Sequence, residues 1–220
     1  MLILHSHNTN LPSGCSKNRR PHHYPGGATF NISFRLAGSI TRAAYYKLNR
    51  LWNQHDGQIP LDLYFKATAE ERIGFRQFLA GSYDRRSLNG PFHLHHDPTC
   101  MQILKDAIAF RDGEHYETYA YSIMPNHVHW VVRHISPKWH MGQLLANLKR
   151  HVARQSNLHL GLTSQPYWQD ESWDRVIRTS KELNDTIHYT LQNPVYSHLA
   201  KTWEEWAGNF LLEEVREMRA

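Results

Sequence analysis

Tyr121-Ser-Ile-Met-Pro-Asn-His-Val-His-Trp-Val-Val132 decides how this chain is read. An apolar run from Tyr119 to Ile123 stops at Met124-Pro125-Asn126, because Pro125 lacks an N–H donor and favours a turn. A second run follows from His127 to Val132. Two such runs with a short break predict two adjacent strands joined by a tight connection. Residues i and i+2 of a strand point to the same face. His127 and His129 therefore stand side by side on one face, with Val128, Trp130 and Val132 on the other. The apolar side can pack on a core while two imidazoles converge on an ion, for which neutral imidazole is a common ligand.

Spacing alone is a weak signal in a chain with 17 histidines. His-x-His recurs at His5/His7 and His93/His95, but both lie among Pro, Gly, Asn and Arg and read as solvated loops. Only His127/His129 sits in a strand-like run. Upstream, Thr29 to Leu36 alternates cleanly, with Phe30, Ile32, Phe34 and Leu36 on one face, and predicts a first strand. Thr41 to Trp52 and Ala69 to Leu79 read as helices, and Ser82 to Pro98 as loop. Pro98 to Phe110 reads as a long helix with an apolar stripe of Ile103, Leu104, Ala107, Ile108 and Phe110, closed by Asp112-Gly113.

Downstream, Gly142 to Asn157 predicts an amphipathic helix that buries Leu144, Leu145, Leu148 and Val152. Lys149, Arg150 and Arg154 lie elsewhere on its surface and are candidates for gripping phosphates. Trp173 to Arg178 predicts a short edge strand. Thr179-Ser-Lys-Glu182 has the form of a capping box, with Glu182 able to reach the Thr179 amide. It opens a helix from Ser180 to Gln192, which Pro194 should end by pushing Asn193 out of helical geometry. Leu183, Ile187 and Leu191 form the buried stripe of that helix. Tyr189 is directed off it, with Asn193 one turn above on the same side. A terminal helix is expected near Leu211.

The order strand, helix, strand, strand, helix, edge strand, helix predicts an α+β, ferredoxin-like antiparallel sheet with helices packed on it. At 220 residues, with 40% hydrophobic residues, the chain can bury one good core. Residues 1–27 read as a flexible N-terminal arm, 28–196 as the domain, and 197–220 as a C-terminal tail with a short helix. No apolar run approaches the roughly 20 residues of a membrane span, and the N-terminus is too short for a signal peptide's hydrophobic region. Cys15 and Cys100 are too few for a disulfide framework or a zinc ribbon, so a cytoplasmic location is expected. A formal charge of +5 and a pI of about 9.2 permit a nucleic-acid partner without demanding one.

Met124-Pro-Asn-His-Val-His129 resembles the His-hydrophobic-His motif of single-tyrosine HUH transposases, and most closely that of the REP-associated tyrosine transposases. Phe34-Arg35-Leu36-Ala37-Gly38-Ser39, Tyr167-Trp168-Gln169-Asp170, Trp173-Asp174-Arg175-Val176-Ile177-Arg178 and Tyr189-Thr-Leu-Gln-Asn193-Pro194 agree in order. The likeness spans about residues 28–196. The tail departs from the Trp-Pro-Trp-Ser-type run that usually closes the family domain. The resemblance implies the HUH endonuclease-like fold. It also implies strand cleavage of single-stranded DNA beside hairpins, such as REP-like palindromes, through a covalent 5′-phosphotyrosine on Tyr189.

By resemblance, His127, His129 and Asn193 would hold magnesium or manganese, with Gln192 a rival to Asn193 by spacing. Lys149, Arg150, Arg154, Arg175 and Arg178 would contact DNA, and the protein would act as a monomer or homodimer. A HIT-type nucleotidyl hydrolase needs a third histidine at the next alternate position, where this chain has Val131. A non-catalytic or domesticated binder of DNA or RNA hairpins is the other reading.

Overall fold

Phe30, Ile32 and Phe34 alternate with Asn31, Ser33 and Arg35 along a strand that runs beside the central strand of the sheet. The computed structural model describes residues 8, 10–16, 22–37, 94, 97–162, 165–169, 172–197 and 199–217. The strands are β1 (Gly14–Ser16), β2 (His22–Tyr24), β3 (Thr29–Arg35), β4 (Tyr116–Ile123), β5 (His127–His134), β6 (Trp173–Ile177) and β7 (Asn209–Leu211). The helices are α1 (Pro98–Ala109), α2 (Met141–His159), α3 (Ser180–Tyr196) and α4 (Glu213–Glu217). The helices expected over Thr41–Trp52 and Ala69–Leu79, and the His5/His7 and His93/His95 pairs, lie outside the described residues.

β3 to β7 form one antiparallel sheet in the order β6-β3-β5-β4-β7. In the unit β3-α1-β4-β5-α2-β6, the last strand lies beside the first, and the third lies between the first and second. That is the ferredoxin-like arrangement, extended by β7. One face carries Phe30, Ile32, Phe34, Val128, Trp130 and Val132, which meet Leu104 and Ile108 of α1 and Leu144, Leu145, Leu148 and Val152 of α2. Fully burying an aliphatic or aromatic side chain contributes roughly 1.5–3 kcal/mol, so this layer supplies most of the cohesion. On the other face, Tyr119, Ala120, Val131 and Ile177 pack under Leu183, Ile187 and Leu191 of α3 and Val215 of α4. A bulge between Thr118 and Ala120 shifts the β4–β5 register. It turns Tyr119 and Ala120 to the α3 side while Thr118 accepts from the Trp130 indole on the other, at 3.2 Å.

Two expectations are corrected, and one segment gains detail. Glu182 accepts from the Arg178 amide at 2.9 Å, one residue before the expected Thr179 amide, while the Thr179 hydroxyl accepts from the Glu182 amide as a cap should. Within residues 1–27, β1 and β2 pair with each other, and the His22 ring bonds the Asp174 carboxylate of β6. Finally, α3 does not stop at Gln192 but runs through Pro194 to Tyr196. The proline removes one helical bond and disfavours helical geometry at Asn193. Burial of Leu191, Asn193 and Pro194 offsets that cost, and the Asn209 side-chain amide donates to the Leu191 and Trp203 carbonyls at 3.0 and 2.8 Å.

Candidate active site

Two-residue spacing on β5 puts His127 and His129 on the α3 face, and the turn before them fixes their ends. Met124 returns its N–H to the His127 carbonyl at 2.8 Å, Leu36 donates to the Asn126 carbonyl at 2.9 Å, and Leu94 donates to the Pro125 carbonyl at 3.0 Å. The two half-buried rings meet nearly edge to face, with centroids 4.9 Å apart, and their Nε2 atoms lie 3.1 Å apart. Two nitrogens each about 2.1 Å from one ion sit about 3.0 Å apart at a right angle and about 3.4 Å apart at a tetrahedral angle. The observed separation falls between, so the pair fits a divalent ion without rearrangement.

The Nδ1 of His127 lies 2.7 Å from the Asn126 side-chain oxygen. A donated Nδ1–H there leaves the Nε2 lone pair for a ligand, the usual second contact of a metal-binding histidine. Burial pushes both imidazoles down: His127 well below the ordinary histidine range, with the charges of His129 and Arg35 adding to the effect, and His129 to about 4, with Arg35 adding. Both rings are therefore neutral at physiological pH, the state that binds metal.

α3 brings Tyr189 over this pair. Its ring centroid lies 6.0 Å from that of His129, and the side chain is 48% exposed. Asn193, one turn on, is buried, and its side-chain nitrogen donates to the Tyr189 carbonyl at 3.0 Å. That leaves the amide oxygen of Asn193 as its potential ligand atom. Gln192 is half-buried on the same helix. Tyr196 is 45% exposed, with its ring 6.3 Å from that of Tyr189.

The predicted basic residues do not all gather here. Lys149, Arg150 and Arg154 ride on α2, which packs against the opposite face of the sheet. Lys149 still reaches the histidine end: it donates to the Gln169 carbonyl at 3.1 Å, and the Gln169 amide donates to the Arg35 carbonyl at 2.9 Å. Arg175 lies on β6, paired with Glu182 at 2.8 Å, and Arg178 is exposed just before α3. Sequence reasoning gave no role to Asn126 or Arg35. Asn126 carried a signal, an amide immediately before the first histidine. Arg35 carried its place on the polar half of an alternating strand and in one of the stretches that resemble the family, but its relation to His127 needs the register.

A second group of potential ligands, Asp97, Cys100 and His159, gathers on the other side of the sheet. Asp97 caps α1 by accepting from the Cys100 amide at 3.0 Å and pairs with His159 at 3.0 Å, while burial pushes the Cys100 thiol up, away from the thiolate that binds metal. Helix capping accounts for this cluster.

No family model matches the chain. It is 28% identical over 124 residues, 44% of its length, to a Haemophilus influenzae protein named as a REP-associated tyrosine transposase, 70% of which is covered. A solved REP-associated tyrosine transposase bound to a REP hairpin superposes with a TM-score of 0.51 at 18% identity, over 88% of this chain and 81% of that one. The fold is that of a REP-associated tyrosine transposase. The likeness to REP-associated tyrosine transposases is thus one of sequence in the curated relative and of architecture in the solved one. Among the described residues no helix is long and apolar enough to cross a membrane.

Proposed function

We propose that this protein is a metal-dependent single-stranded DNA nickase and strand transferase that acts beside DNA hairpins of the REP type, with Tyr189 as nucleophile. The observation that carries this reading is the convergence of the His127 and His129 Nε2 atoms, 3.1 Å apart, beneath the exposed ring of Tyr189. In this reading His127 and His129, with Asn193 or Gln192 as an oxygen ligand, hold magnesium or manganese. When bound, the ion supplies Lewis-acid polarisation of a non-bridging phosphate oxygen. The catalytic unit is residues 28–196, working as a monomer or homodimer in the cytoplasm.

The phenol of Tyr189 attacks phosphorus, the P–O3′ bond breaks, and a 5′-phosphotyrosine forms. The phenolic proton is lost to water, which the half-exposed ring can reach, and the departing 3′ oxygen gains one. One phosphoester replaces another, so a second 3′-OH can reverse the step and join strands without an external energy source. Lys149, Arg150, Arg154, Arg175 and Arg178 contribute phosphate contacts, which set affinity more than sequence choice.

The test is trapping of a covalent adduct on a labelled hairpin with a single-stranded tail, in the presence of manganese. Wild type should form the adduct and Tyr189→Phe should not, while hairpin binding is kept. Binding without an adduct in the wild type would make the protein a hairpin-binding module instead. An adduct that persists in Tyr189→Phe would move the nucleophile to Tyr196, since Tyr167 is buried.

A further inference from the structure

We propose that Arg35 is a further catalytic residue, whose guanidinium binds the scissile phosphate and offsets the charge that builds on it in the transition state. The inference rests on the phosphoryl-transfer reading above and adds to it a group that reading does not use. Arg35 ends β3, where its Cα partner across the ladder is His127, just as Ser33 is the partner of His129. Side chains directly opposite in an antiparallel pair share a face, with Cβ atoms about 4.5–5.5 Å apart. Arg35 is therefore rooted on the surface that carries both histidines and over which Tyr189 lies.

The strand end that bears Arg35 is held from both sides. The Gln169 amide donates to the Arg35 carbonyl at 2.9 Å, and the next residue, Leu36, donates to the Asn126 carbonyl at 2.9 Å. Leu36 is also bridged to Trp168, whose indole donates to the Lys149 carbonyl at 2.9 Å. A side chain rooted in so fixed a backbone can be aimed.

The chemistry asks for such a group. A phosphodiester carries one negative charge, and as Tyr189 attacks, charge spreads over the non-bridging oxygens. Imidazoles that hold an ion are neutral, so the histidines add no positive charge of their own. Arginine presents paired donors in a fork that matches two phosphate oxygens and stays charged at any working pH. Arg175, the predicted DNA contact on β6, is turned to Glu182, and Arg150 and Arg154 lie on α2 across the sheet. By register Arg175 shares the histidine face but stands opposite Asn31, further back along β3, whereas Arg35 stands directly opposite His127.

The experiment compares wild type, Arg35→Lys and Arg35→Gln in single-turnover adduct formation with manganese, on a tailed hairpin bearing either the normal phosphate or a methylphosphonate at the mapped cleavage junction. Arg35→Gln should slow adduct formation by about 100- to 1,000-fold, the usual loss when one preorganised donor is removed. Arg35→Lys should fall between, with melting temperature, manganese binding and hairpin affinity close to wild type. On one methylphosphonate diastereomer, where the charge to be offset is gone, the gap between wild type and Arg35→Gln should close. An unchanged rate in Arg35→Gln, or an equal gap on both substrates, would overturn the proposal while leaving the Tyr189 reading intact. A loss of rate that tracks a lowered melting temperature in both variants would make Arg35 structural. Wild type that forms no adduct would overturn both.

Discussion

His127 depends on the residue before it. Asn126 holds the Nδ1 side of the ring at 2.7 Å, so Asn126→Ala should leave the fold intact and weaken manganese binding about 10- to 100-fold, the usual cost of losing such a contact; calorimetric titration measures it. His127→Ala and His129→Ala should each remove metal-dependent cleavage with little change in melting temperature, because their side chains lie off the Val128–Trp130 core. If melting collapsed in either variant, that histidine would be structural. Acid should act through the same groups. The pKa of His129 falls from about 6.5 unfolded to about 4 folded, so the unfolded chain binds more protons between those values. Protonation of His129 therefore costs the fold nothing above about pH 6.5 and destabilises it increasingly as the pH falls toward 4. Metal-free wild type should therefore melt progressively lower from pH 7 to pH 5, and His129→Gln should show a shallower slope. The histidine pair and Tyr189 were legible in sequence because period and spacing place them. Arg35 was not, because the sequence contains no register.

α3 shows how tertiary contacts override a local signal. Pro194 and its effect on Asn193 predict a stop at Gln192, yet the helix continues to Tyr196 because its buried side rests on the sheet. The Asn209 amide, two strands' width from the histidines in the sheet order, ties this stretch by donating to Leu191 and Trp203. Asn209→Ala leaves two carbonyls without that donor and should destabilise the protein by about 1–3 kcal/mol, read from urea unfolding. It should also slow adduct formation, since Tyr189 sits on the helix it anchors. The helix starts were better marked than the ends. Asp97 and Thr179 cap α1 and α3 with their own side chains, a contact set within a few residues of sequence.

At the scale of the molecule, the antiparallel sheet was readable from the order of its longer elements. β1, β2 and β7 were not, since three-residue strands carry no period and are defined by their partners. If Tyr189 is the nucleophile, as proposed, its place on one helix over the sheet suits a strand that can bend, so fully paired duplex should resist cleavage that the same strand undergoes beside a hairpin. Binding should also weaken steeply with salt as phosphate contacts release counterions; a salt titration of hairpin affinity and an assay on the annealed complement check both. The sheet order has a kinetic consequence. β4 and β5 meet across a three-residue turn, but β3 finds β5 only by closing a loop of about a hundred residues, and such distant pairings slow folding. Contact order predicts that the hairpin carrying both histidines forms first, that Arg35 joins when β3 docks, and that Tyr189 arrives when α3 settles on the sheet. Val128→Ala should thus retard refolding, whereas Leu183→Ala should chiefly hasten unfolding, so that in stopped-flow refolding the two histidines come together before Tyr189 and Asn193 reach them on α3.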